Sequence, residues 1–174
     1  MMKTFSIGGI HPSDKKISKD CQIEVLPLPS KVFVSMAQHL GAPATPVVKA
    51  GDAVKTGQVI AEPAGFISAY VHSPVSGTVK SVGPRKDLAG NNMVHVEIDV
   101  EGDEWAEGID LTDTLVTEIP SDNKAILEKI KMNGVVGLGG ATFPAHVKLC
   151  PPPGKKADCL ILNGAECEPY LTSD

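Results

Sequence analysis

Hydrophobic and polar positions alternate most clearly between residues 31 and 100. Val32, Phe33 and Val34 open a strand, and PVVKAGDAVKTGQVIAE, FISAYVHSPVSGTVKSV and MVHVEIDV continue as short Val/Ile runs. The turn pairs G-D, T-G and S-G separate these runs every several residues, a spacing that predicts an all-β unit. Ahead of it, residues 1–30 carry Gly8-Gly9, His11-Pro12, Pro27 and Pro29, which keep the segment extended; it reads as an arm packed on the body. Residues 101–120 are acidic and turn-rich and read as a linker, with Trp105 expected to cover a domain junction.

Beyond the linker the period changes. Ile126, Leu127 and Ile130 share one face of a helix through NKAILEKIKMN, capped by Ser121 or Asp122 and ended by Gly134. A Gly-rich turn follows, and Pro144 fits the first position of a short helix. CPPPGKKAD is a stiff surface loop, and DCLILNG predicts a short apolar strand in which Cys159 packs.

Composition narrows the function classes. The 174 residues are 42% apolar and only 4% aromatic, with 17 Gly and 14 Pro, which suits short strands and many turns. A formal net charge of −5 disfavours nucleic acid as a partner. No apolar run approaches the roughly 20 residues of a membrane span, and MMKTFSIGGIHP has no secretory core. Cys21, Cys150, Cys159 and Cys167 contain no C-x-x-C pair, so a metal site made by this segment alone is not expected.

Candidate chemistry gathers at the end of the chain. Gly137, Gly139 and Gly140 crowd one turn, where bare backbone N–H groups suit a phosphate; the helix start after Pro144 would add its dipole, and Lys148 a point charge. Asn163, Glu166 and Glu168 follow the DCLILNG strand at the position where α/β sheets bind ligands. An amide and two carboxylates there suit ribose hydroxyls and a nicotinamide carboxamide, or a metal, and an acidic loop in water is the plain alternative.

Two resemblances sharpen this reading. The order V-x-x-G-D-x-V-x-x-G-Q-x-I, a hairpin, then H-S-P-V-S-G-T-V resembles the biotinyl/lipoyl-carrier barrel, a barrel-sandwich hybrid. Carriers present a Lys for acylation on that hairpin. Here it reads PAGFISAY, with no Lys between Lys55 and Lys80, so carrier function is excluded while the scaffold stands. Phe66 and Tyr70 are left either to pack on a neighbouring domain or to serve the core.

FSIGGIHP, LPLP, QHLGAPATPVVKAGDAVKTGQVI, VHSPVSGTV, GVVGLGGATFPAHVKL and ILNGAECEPYLTSD together resemble the C subunit of the Rnf electron-transport complex, from Phe5 to Asp174. The last two stretches are also similar to the flavin- and NADH-binding subunit of respiratory complex I, which carries G-R-G-G-A-G-F-P-T-G-x-K and N-A-D-E-x-E-P. By that resemblance Gly137, Gly139, Gly140, Ala141, Phe143 and Lys148 would hold the phosphate and ribityl chain of FMN. Asn163 would contact the flavin, and Glu166 with Glu168 would help seat NADH. Leu138 replaces the Arg, Thr142 a Gly, Ala165 the Asp and Tyr170 the Gly after the Pro, which removes two charged contacts from the dinucleotide side.

The resemblance implies an α+β chain with the barrel at residues 31–100 and the start of an α/β flavin/NADH-binding domain at 121–174. It further implies hydride transfer from NADH to FMN, then electron passage toward ferredoxin through two [4Fe–4S] clusters, coupled to ion translocation. The other Rnf subunits would be partners, at the cytoplasmic side of the cell membrane. The cluster-binding C-x₂-C-x₂-C-x₃-C-P run is not among the 174 residues, so an N-terminal piece of a longer subunit, inactive alone, is expected. The competing reading is a non-catalytic β-barrel interaction module that docks partner subunits.

Overall fold

A computed structural model describes residues 13, 15–87, 89–138, 140–162 and 170. The chain divides into two units, Pro27–Lys156 and a second formed by Met1–Leu26 with Ala157–Asp174. The first holds every strand and helix found among the described residues: β1 Lys31–Ser35, β2 Thr45–Pro46, β3 Ala53–Val54, β4 Val59–Glu62, β5 Val71–His72, β6 Ser76–Lys86, β7 Asn92–Gly102, α1 Asn123–Met132 and α2 Ala145–Lys148.

All strand pairs are antiparallel. One sheet has the order β1-β7-β6-β3 and the other β2-β4-β5. The predicted alternation is realised on β7: Val96 and Ile98 point inward and are fully buried, while Glu97 and Asp99 face out and meet Lys31 of β1 at 2.7 and 3.7 Å. Val34, Met36, Val54, Ile60, Val71 and Val79 join them in one core between the sheets. Each such side chain contributes about 1.5–3 kcal/mol by leaving water, so this core rather than any helix carries the unit.

The loop from β4 to β5, Pro63–Tyr70, is the one that bears the acylated Lys in carriers. Here it is tied down from one side by the segment after β1. Ala42 N–H donates to the Ile67 carbonyl (3.0 Å), Ser68 Oγ donates to the Ala42 carbonyl (2.8 Å), and Ala69 N–H donates to His39 Nε2 (3.1 Å). Phe66, at its tip, is 74% exposed. Trp105 lies on the barrel, over the Gly57 turn. Thr56 N–H donates to the Glu104 carbonyl and Ala106 N–H to the Thr56 carbonyl, both at 2.9 Å.

The second unit differs from expectation. Residues 157–162 form no strand, and Cys159, Leu160, Ile161 and Leu162 are all exposed rather than packed. Apolar content alone does not make a strand; its N–H and C=O groups need a ladder partner, and none pairs with it among the described residues. Ile23 and Val25 of the N-terminal arm are likewise exposed, so the described part of that arm buries little. Gly8, Gly9 and His11 lie outside the described residues.

Candidate functional site

Helix α1 starts as expected, with Asp122 Oδ1 accepting from Lys124 N–H at 3.0 Å, and ends at Gly134 with φ +64°. That glycine is required twice over. The left-handed conformation disfavours a side chain, and a Cβ would lie 2.5 Å from the Tyr70 carbonyl oxygen of the barrel.

The Gly-rich turn then closes as a tight loop. Ala145 N–H donates to the Val135 carbonyl (2.9 Å) and Gly137 N–H to the Phe143 carbonyl (3.0 Å), with Val136 bridging Pro144 between them. Pro144 is buried as the cap of α2, one position before the first helical turn where the sequence pattern places it. Helix α2 is a single turn of four residues. So short a stack of peptides has little macrodipole, and the helix-start contribution expected for an anion is withdrawn. What remains is the charge of Lys148 and the amides of the loop.

Those parts do come together. Lys148 Nζ hangs over Gly137, 2.6 Å from where a Cβ would be, and makes no ion pair among the described residues. Gly140 faces open space, with no atom within 4 Å of a Cβ built on it, and Ala141 beside it is exposed. Phe143 is half-buried at the base of the loop. An ammonium beside a bare, exposed loop backbone fits a phosphate monoester in its donor chemistry. Gly139, Asn163, Glu166 and Glu168 lie outside the described residues.

Two features of the loop escaped the pattern of the sequence. Thr142 has φ +52°, the left-handed region, and its hydroxyl donates to the Ala141 carbonyl at 2.7 Å. The complex I stretch carries Gly there, and the backbone explains why; a β-branched residue in this conformation is strained by about 1–3 kcal/mol.

His146 is the second. It replaces another Gly of that stretch, is only 9% exposed, and faces the Phe66 carbonyl of the barrel loop. His39 bonds the Pro63–Tyr70 loop from one side, and His146 lies on the other. A lone His between apolar residues has no periodic signature, and the departure from Gly was the one available signal.

Burial holds His146 below its usual value of 6.5, and the Lys131 charge lowers it further, against the Phe66 hydrogen bond and Glu128. Burial does the same to His72, against the Met132 carbonyl of α1, which it faces. Both rings are therefore favoured in their neutral form where they face the α1–α2 segment or the barrel loop. A depressed folded value means that the unfolded chain binds more protons as pH falls, so this stability is lost from about pH 6.5 downward. Urea midpoints are expected to drop between about pH 7.5 and 5.5, with a shallower slope in His146→Gln. Asp87, Asp110 and Glu97, held low by hydrogen bonds, add their own loss only under more acidic conditions.

Among the described residues, no group of three His, Cys, Asp or Glu side chains gathers closely enough to hold a metal ion. No described helix is long and apolar enough to cross a membrane.

Comparison with known proteins places these features. A family model described as the RnfC barrel sandwich hybrid domain matches residues 3–103, and one described as the Nuo51 FMN-binding domain matches residues 130–174. The C subunit of the proton-translocating ferredoxin:NAD(+) oxidoreductase complex of Clostridium ljungdahlii is 48% identical over 176 residues, covering 100% of this chain and 38% of that protein. Its Na(+)-translocating counterpart from Acetobacterium woodii is 45% identical, over 96% of this chain and 38% of its own length. The C subunit of the ion-translocating oxidoreductase complex of Pseudomonas aeruginosa is 41% identical, over 99% and 22%. The chain thus spans about two fifths or less of these relatives.

Proposed function

This chain belongs to the RnfC family, and from that membership we propose that it is part of the electron-input subunit of an ion-translocating ferredoxin:NAD(+) oxidoreductase complex. The subunit would sit peripherally on the cytoplasmic side of the membrane and pass electrons between NADH and ferredoxin through FMN and two [4Fe–4S] clusters. Residues 31–100 would form the barrel, 101–120 the linker and 121–174 the beginning of the flavin domain.

The observation that carries the proposal is Lys148 Nζ over Gly137, beside an exposed Gly140 with nothing near its Cα hydrogens. The backbone of Gly139, Gly140 and Ala141 would hold the FMN phosphate, with Lys148 as its counter-charge and Phe143 supporting the loop; the Gly137 N–H is already given to the Phe143 carbonyl, so Gly137 would serve by leaving room for the Lys148 ammonium. Asn163 would contact the flavin, and Glu166 and Glu168 the NADH. When bound, FMN supplies the exchange between hydride and single-electron chemistry; the protein positions it and sets its electrostatics. The loop closure at Gly137–Phe143 and Val135–Ala145 fixes the direction of the free amides before the ligand arrives, which lowers the ordering cost of binding.

The test is a flavin-fluorescence titration of the full-length protein. A charge-assisted hydrogen bond is worth about 1.5–3 kcal/mol, so Lys148→Ala is expected to weaken FMN roughly ten- to hundred-fold. Unchanged affinity would remove Lys148 from the site.

A further inference from the structure

A cleft of about 380 Å³ lies on unit Pro27–Lys156, lined by none of the flavin-site residues proposed above. Gly65 and Phe66 form one wall, α1 supplies Lys124, Leu127, Glu128 and Lys131, and α2 closes it with His146 and Val147, followed by Cys150. Three observations set it apart. No residue of α1 is buried, although Leu127 lies on its apolar face. Lys124 and Lys131, two turns apart, form no ion pair among the described residues, on a chain whose net charge is −5. His146 is 9% exposed, and its Nδ1 has no hydrogen-bond partner.

We propose that this cleft is the docking site for an acidic segment of a partner polypeptide. The segment places one apolar side chain against Phe66, Leu127 and Val147, and its carboxylates against Lys124 and Lys131. The proposal rests on the reading that the chain is one subunit of a larger assembly. An apolar anchor in a pocket ringed by charge is the usual form of an interface centre. A 74% exposed Phe at the tip of a loop pinned by three hydrogen bonds from the segment after β1 is such an anchor, ordered before contact. Charge complementarity selects the sign of the partner. Lys124 and Lys131 outweigh Glu128, and partner carboxylates balance the excess.

The groups facing His146 are Lys131 and Glu128 from α1, His39 from the segment after β1, and the Phe66 carbonyl, with Lys124 and Cys150 elsewhere on the cleft. A carboxylate beside Lys131 offsets the charge that disfavours the imidazolium. Binding is therefore linked to a rise in the His146 pKa and tightens as pH falls.

The experiment is an NMR titration of the isotopically labelled full-length protein, without flavin, using the acetylated peptide Glu-Glu-Phe-Glu-Glu. Lys-Lys-Phe-Lys-Lys and benzoate serve as comparisons. The acidic peptide is expected to shift the Leu127 and Val147 amides saturably and to raise the His146 pKa. Lys131→Gln should weaken it about five-fold or more and Glu128→Gln should tighten it, with thermal midpoints showing both variants folded. Silence at those amides, equal binding of the basic peptide, or full reproduction by benzoate overturns the proposal. Co-purification with membrane subunits separates the two readings. If it survives Phe66→Asp combined with Lys131→Glu, the docking site falls and the subunit assignment stands; if the unaltered chain fails to co-purify, the subunit assignment falls.

Discussion

Gly41→Ala is expected to destabilise the chain by about 3 kcal/mol, a fall of about 6–12 °C in thermal midpoint for a protein of this size. Two effects combine. Gly41 has φ +101°, outside even the left-handed well that other residues sometimes enter. Its missing Cβ would also overlap the carbonyl oxygen of Ile67. That oxygen cannot simply retreat, because it accepts the Ala42 N–H that ties the Pro63–Tyr70 loop to the segment after β1. Relief of the clash would pull on Ser68 and Ala69, both buried, and through them on His39. The loss should therefore appear in circular-dichroism melting and in faster amide exchange at residues 64–69. A midpoint within about 1 or 2 °C of the parent would mean that the loop is held by something else.

Gly140→Asp is expected to behave in the opposite way. No atom lies within 4 Å of the Cβ it would add, and its φ is not left-handed, so the thermal midpoint should not move. In the full-length protein a carboxylate would then stand where the FMN phosphate is proposed to lie. Two like charges about 4 Å apart near a protein surface repel by roughly 4 kcal/mol, so at least a hundred-fold loss of FMN affinity is expected. Gly140→Ala, which adds bulk without charge, should lie between the parent and the Asp variant. Retained affinity in Gly140→Asp would place the phosphate elsewhere. The pair of glycines thus separates backbone needed for the fold from backbone kept bare for a ligand.

What the sequence disclosed follows from the range of the forces involved. The G-D and T-G turns, the Asp122 cap and the Gly134 stop are local signals, and each lies where the pattern predicted it, whereas the expected S-G turn at Ser76-Gly77 falls inside β6, paired with Gly102 and Val100 of β7. The proximity of Lys148 to Gly137 was also legible, since one turn of chain fixes it. The fate of DCLILNG was not, because a strand depends on a partner elsewhere and no local propensity supplies one. The length of α2 was hidden for a related reason: the cap at Pro144 and the bridge to Val136 are set by the loop closing on itself. His39 and His146 were invisible as a pair, since they are distant in sequence and meet only across the Pro63–Tyr70 loop. The question left open for Phe66 and Tyr70 has a divided answer. Phe66 stands out at the cleft, whereas Tyr70 is half-buried and presents its carbonyl to Gly134.

Trp105, 46% exposed and bridged to Thr56, is the sole indole in 174 residues, and it covers the turn at Gly57 where the segment beyond β7 leaves the barrel. Excited selectively near 295 nm, roughly where Tyr no longer absorbs, it makes the protein report optically on that single point of attachment. Its emission should shift to longer wavelength when the strap at Glu104–Ala106 peels from Thr56, even while the β-sheet signal in the far ultraviolet persists.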